Sequence, residues 1–129
     1  MNIGHNSRLV AIVDDDESVH RSLQDLIESD GLTALCFGSA EQFLESDARN
    51  KAACLIADIR MSGMSGLELQ AKLKAERCRV PIIIVTAHGD TEMRIHAMRE
   101  GAVEFLSKPF DDEVLLQAVN AALDRRRNA

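Results

Sequence analysis

PIIIVTAHGDTEMRIHAMREGAVEFLSKP, residues 81–109, holds two apolar runs separated by an amphipathic segment. In Pro81–Thr86, three Ile and a Val follow one another without a polar break, as in a central strand covered on both faces. A helix is expected from about Asp90 to Glu100, stopped at Gly101. A second strand follows over Val103–Leu106 and runs into Lys108-Pro109. Short apolar runs alternating with helical patterns place the chain in the α/β class.

Outward from this segment the alternation recurs, five times in all. Leu9–Val13 reads as a strand, and about Ser18–Asp30 as a helix with Val19, Leu23, Leu26 and Ile27 on one face, ended by Gly31. Leu32–Phe37 is the next strand. Ser39 and Gln42 stand at capping-box spacing before a helix carrying Phe43 and Leu44 inward. Ala53–Ile56 and Asp58 supply the third strand, and the Gly-rich turn Ser62–Gly66 leads to a helix capped by Ser65 and Glu68, with Leu69 and Leu73 facing the sheet. A last helix from Asp111 carries Val114, Leu115, Ala118, Val119 and Leu123.

The 129 residues make one domain, expected over residues 9–124, with a flexible N-terminus at 1–8 and a polar tail at 125–129 that frays or begins a linker. Five units suit a doubly wound five-stranded parallel sheet, either flavodoxin-like (βα)5 with strand order 2-1-3-4-5 or a Rossmann half. No GxGxxG or GxxxxGK[ST] follows any strand, which argues against a phosphate loop.

Composition removes other classes. An aromatic share of 3% disfavours base-stacking and sugar-stacking surfaces, and a net charge of −6 repels phosphate backbones and anionic membranes. Direct nucleic-acid binding is not expected. No apolar run approaches the roughly 20 residues of a membrane span, and MNIGHNSR lacks the apolar core of a secretory signal. Cys36, Cys54 and Cys78 read as small core residues in a reducing cytoplasm.

In doubly wound sheets ligands bind outside the carboxyl ends of the strands, where strand order reverses. Those ends carry Asp14, Asp15 and Asp16 on the first strand, Asp58 on the third, Thr86 on the fourth and Lys108 after the fifth. Asp16 reads as a helix cap. In the 2-1-3-4-5 order Asp14 and Asp15 come close to Asp58, where each pair of carboxylates 4 Å apart repels by about 4 kcal/mol at an effective dielectric near 20. A small hard cation answers that repulsion, Mg²⁺ first and Mn²⁺ as its substitute. With Lys108 as a fixed positive charge and Thr86 as a hydroxyl donor, the set points to phosphorylation of an aspartate.

IVDDDES, IADIRMSGMSGLEL, IIIVTAHGD and GAVEFLSKPF, in this order and spacing, resemble the receiver domain of two-component response regulators, nearest to the FixJ-like branch, over about Leu9–Leu123. The resemblance implies a signalling phosphoacceptor that assists only its own phosphorylation and dephosphorylation, and a partner histidine kinase or phosphotransfer protein. It assigns Asp58 as phosphoacceptor, with Asp15, Asp58 and the Arg60 carbonyl ligating Mg²⁺ and Asp14 acting through metal-bound water. It pairs Lys108 with Asp58 at rest, makes Thr86 and Phe105 the switch pair, and places a cis peptide before Pro109. It also implies a phosphorylation-dependent homodimer or output contact through the fourth helix, fifth strand and last helix, where Arg94, Arg99, Glu104, Asp111, Asp112 and Glu113 mix charges. Arg60, Ala87 and His88 stand where the phosphoryl lifetime is tuned. Ser62 departs from the usual Pro in the turn after the acceptor, which leaves that loop without a fixed φ.

Two other readings stay open. Asp14 and Asp16 form a DxD, as in Mg²⁺-dependent phosphohydrolases of the haloacid dehalogenase kind, although 129 residues leave little room for a cap. A receiver-like binding module that is never phosphorylated is the other. His5, His20 and His96 show no metal-ligand spacing.

Overall fold

The computed structural model describes residues 8–87 and 89–128, so the readings that fall on residues 1–7 and on His88 lie outside the described residues. In chain order the elements are β1 (Leu9–Val13), α1 (Glu17–Ser29), β2 (Thr33–Phe37), α2 (Ala40–Glu45), α3 (Ala48–Lys51), β3 (Cys54–Asp58), α4 (Gly66–Ala75), β4 (Ile82–Thr86), α5 (Thr91–Arg99), β5 (Glu104–Ser107) and α6 (Asp112–Asn128). The strands form one parallel sheet in the order β2-β1-β3-β4-β5, the flavodoxin-like alternative.

The apolar runs explain this order. Every residue of β3 and β4 is buried, as their apolar runs Cys54–Ala57 and Ile82–Val85 require, whereas β2 at one edge exposes Thr33 and Leu35. Strand side chains alternate between two cores. Val10, Ile12, Ile56, Ile83 and Val85 pack with Leu23 and Ile27 of α1 and Leu115, Val119 and Leu123 of α6. Ala11, Val13, Leu55, Ala57 and Ile84 pack on the opposite face with Phe43 of α2 and Leu69 and Leu73 of α4. Phe37 and Phe43 meet edge to face with ring centroids 5.5 Å apart.

Three features depart from the sequence reading. The single turn α3 was not expected, so the fourth expected helix is α5 and the last is α6. At four residues α3 is too short to show a hydrophobic period. The helix α6 continues through residue 128 past Leu123, so residues 125–128 are helical rather than a separate tail. Val114 is 44% exposed instead of facing the core, because it lies at the edge of the arc defined by Leu115, Ala118, Val119 and Ala122.

Candidate functional site at the carboxyl ends of the strands

Sheet register assembles the site. Val13 at the end of β1 pairs with Ala57 of β3, so the residues that follow, Asp14 just beyond β1 and Asp58 at the end of β3, stand level with each other. Thr86 of β4 pairs with Ser107 of β5, and the Lys108 N–H donates to the Thr86 carbonyl at 2.8 Å. The Lys108 side chain then turns over the strand ends. Its Nζ donates to Asp58 Oδ2 at 2.8 Å and to Asp14 Oδ2 at 2.9 Å. The expected pair with Asp58 is present, and sequence reasoning missed that Asp14 shares the same ammonium.

Each carboxylate is also held by the backbone two residues on. Asp14 Oδ1 accepts from the Asp16 N–H at 3.0 Å, and Asp58 Oδ1 from the Arg60 N–H at 3.1 Å. Both aspartates are buried, at 1% and 7% exposure. Burial raises the Asp14 pKa above its ordinary value. Lys108 and the Asp16 N–H oppose the rise, and the Asp58 charge adds to it. For Lys108, burial alone would lower the pKa; the hydrogen bonds and charges of Asp58 and Asp14 outweigh it and the net shift is upward.

Asp15 is exposed and faces the loop that follows β3, where its Oδ2 accepts from the Ser62 N–H at 3.1 Å. Along that loop further N–H groups meet carboxylates. Met64 N–H donates to Glu41 Oε2 at 3.0 Å, and Ser65 N–H to Glu68 Oε1 at 2.8 Å within the expected capping box. Gly63 has φ +79, and a Cβ there would stand 2.9 Å from Glu41 Oε2. At Gly66 a Cβ would lie 2.3 Å from the Asp58 carbonyl oxygen, so only glycine lets α4 start against the end of β3. The glycines of MSGMSG were the available signal for this crowding. Asp16 caps α1 as expected: its Oδ1 accepts from the Ser18 hydroxyl at 2.7 Å and from the Ser18 N–H at 2.9 Å, and these bonds lower its pKa.

Thr86 is fully buried, and Phe105 lies inward at 2% exposure. Gly89 fits between them: a Cβ there would stand 2.6 Å from Thr86 Cγ2 and 2.7 Å from Phe105 Cε1. The Arg94 guanidinium carbon lies 5.1 Å from the Phe105 ring centroid, with Arg94 Nη1 3.9 Å from Glu104 Oε1. Arg60 and Ala87 are exposed beside the site. The α5, β5 and α6 surface also exposes Ile95, Met98 and Val114. The peptide before Pro109 is cis. His20 points its Nε2 at the Asp14 carbonyl oxygen at 2.5 Å, and His96 is exposed on α5. The three cysteines are free; burial pushes the Cys54 thiol up to about 12.

Oxygen donors from three carboxylates against one lysine leave excess negative charge, a donor set that suits a small hard divalent cation. Among the described residues, however, no three acidic, imidazole or thiol side chains converge as a ligand group. Asp14 and Asp58 are drawn to Lys108, and Asp15 to Ser62. A cavity of about 330 Å³ lined by Gln70, Lys74, Arg79 and Pro81 among others shares no residue with this cluster.

Comparison with known proteins agrees with this fold. The family model described as response regulator receiver domain matches residues 10–120. Nodulation protein W of Bradyrhizobium diazoefficiens is 47% identical over 119 residues, 92% of this chain and 52% of that protein. Transcriptional regulatory protein FixJ of Azorhizobium caulinodans is 42% identical, covering 90% of this chain and 55% of that protein. The chain thus spans about half the length of the curated relatives it matches. A crystal structure of FixJ-N superposes with a TM-score of 0.82 at 38% identity, covering 92% of this chain and 94% of that one.

Proposed function

The chain belongs to the receiver domain family of response regulators, and from that premise we propose that it is a phosphoacceptor switch in which Asp58 takes a phosphoryl group from the phosphohistidine of a partner histidine kinase or phosphotransfer protein in the cytoplasm. The observation that carries this reading is the Lys108 ammonium held between Asp14 and Asp58 at the strand ends. An Asp58 oxygen forms the new O–P bond as the P–N bond breaks, and the electron pair stays on the imidazole nitrogen, which takes a proton. Lys108 is already within hydrogen-bond reach of the reacting carboxylate, so its charge is in place when the phosphoryl oxygens arrive.

Asp15, Asp58 and the Arg60 carbonyl would hold Mg²⁺ directly, with Asp14 reached through water; the ion would neutralise charge on the transferring group. Phosphorylation adds about 1.5–2 negative charges and three acceptor oxygens at Asp58. Those oxygens draw Lys108 and the Thr86 hydroxyl toward them. Thr86 and Phe105 flank Gly89, so a shift of one is felt by the other and passes to the surface of α5, β5 and α6. That surface, with exposed Ile95, Met98 and Val114 among charged groups, is where a second copy or an output would dock. Arg60, Ala87 and His88 tune the lifetime of the acyl phosphate.

Incubation with acetyl phosphate and Mg²⁺ followed by intact mass tests the reading. A gain of one phosphoryl group, sensitive to hydroxylamine and lost in Asp58→Asn, is expected. Sustained turnover of p-nitrophenyl phosphate would instead favour a phosphohydrolase, and no mass gain a binding module that is never phosphorylated.

A further inference from the structure

Gln70 on α4 is only 4% exposed. Its Nε2 donates to the Ala97 carbonyl of α5 at 3.0 Å, and because a carbonyl only accepts, that bond fixes which end of the amide is nitrogen. The other end, Oε1, is the one buried side-chain polar atom among the described residues that has no hydrogen-bond partner. Gln70 also lines the cavity of about 330 Å³ at the amino end of β4, opposite the rim that carries Asp58. Leu73, Val80 and Ile82, all buried, give that cavity apolar walls. Its charged lining is unbalanced. Lys74 Nζ pairs with Glu100 Oε1 at 3.1 Å, whereas Arg79 and Arg125 make no ion pair among the described residues.

We propose that this cavity is a binding site for a small organic anion that carries a hydroxyl or amide donor. The anionic group meets Arg79 and Arg125, the apolar body lies along Leu73 and Val80, and the donor satisfies Gln70 Oε1. The volume is at the small end of ligand pockets, which run to roughly 300–1,000 Å³. Through Ala97 the Gln70 amide ties α4 to α5, so the occupant sits against the contact between those helices. The site shares no residue with the Asp58 cluster and does not depend on phosphorylation there.

The test titrates three flexible probes into the isotope-labelled, unphosphorylated chain: ω-hydroxyhexanoate, hexanoate, which lacks the donor, and hexanol, which lacks the charge. Saturable NMR shifts are expected at Val80, Gly101 and the Gln70 side-chain amide. The hydroxy acid should bind about fivefold tighter than hexanoate, the worth of one hydrogen bond, and hexanol should bind weakest. Gln70→Leu removes the acceptor at similar size, and the Ala97 carbonyl keeps its bond from the Ala102 N–H at 3.0 Å. In that variant the two anions should bind alike. Replacing Arg79 and Arg125 together by Gln should bring hexanoate down to the level of hexanol, while Asp58→Asn should bind as wild type does. Shifts scattered over the surface or failing to saturate would overturn the site. Equal binding of the two anions by wild type, or a preference that survives Gln70→Leu, would overturn the role given to Gln70. The three-probe comparison on wild type decides even if a variant does not fold.

Discussion

Asp14 is a residue whose burial costs more than its partners return. Its folded pKa lies above the unfolded value of 3.8, so between the two values the folded chain binds more protons than the unfolded one. Stability therefore falls as pH rises through that window. Asp14→Asn keeps an oxygen for Lys108 and the Asp16 N–H but removes the buried charge. It should stabilise the fold at pH 7, read as a higher urea midpoint, with the gain shrinking as pH falls through that window. Lys108 has the same sign at higher pH: its raised pKa contributes stability that is complete below its ordinary 10.5 and lost as pH rises through its folded value. The identities of Asp14, Asp58, Thr86 and Lys108 were legible because each ends an apolar run. The sharing of one ammonium and the Ser62 grip on Asp15 were not, since a backbone N–H leaves no mark in side-chain identity.

At the scale of elements, the chemistry-bearing turn is the best specified. Ser65 and Glu68 form the capping box that their spacing predicts, and the cap starts α4 against the Asp58 carbonyl. Ser65→Ala should cost about 1 kcal/mol, measured as a lower urea midpoint with unchanged slope. The strand ends were placed within about one residue, because an apolar run stops where polar side chains reach the rim. Where the period is too short, as in α3, or an apolar residue sits at a stripe's edge, as Val114 does, pattern alone misplaces the chain.

Over the whole molecule, two cores on opposite faces of one sheet hold the register that levels Asp14 with Asp58. Phe43 is fully buried against Phe37 in one of them, so Phe43→Ala should lower stability by about 3–5 kcal/mol, read as a fall in Tm. Five alternating units left two strand orders open in the sequence, since periodicity says nothing of which strands are neighbours; the sheet takes the flavodoxin-like one. The central claim is that this sheet brings a phosphoryl group to Asp58 and to no other carboxylate. After acetyl phosphate and Mg²⁺, borohydride reduces an aspartyl phosphate to homoserine, which tandem mass spectrometry can locate. The account predicts homoserine at position 58 alone; homoserine at Asp14 or Asp15, or none at all, would contradict it.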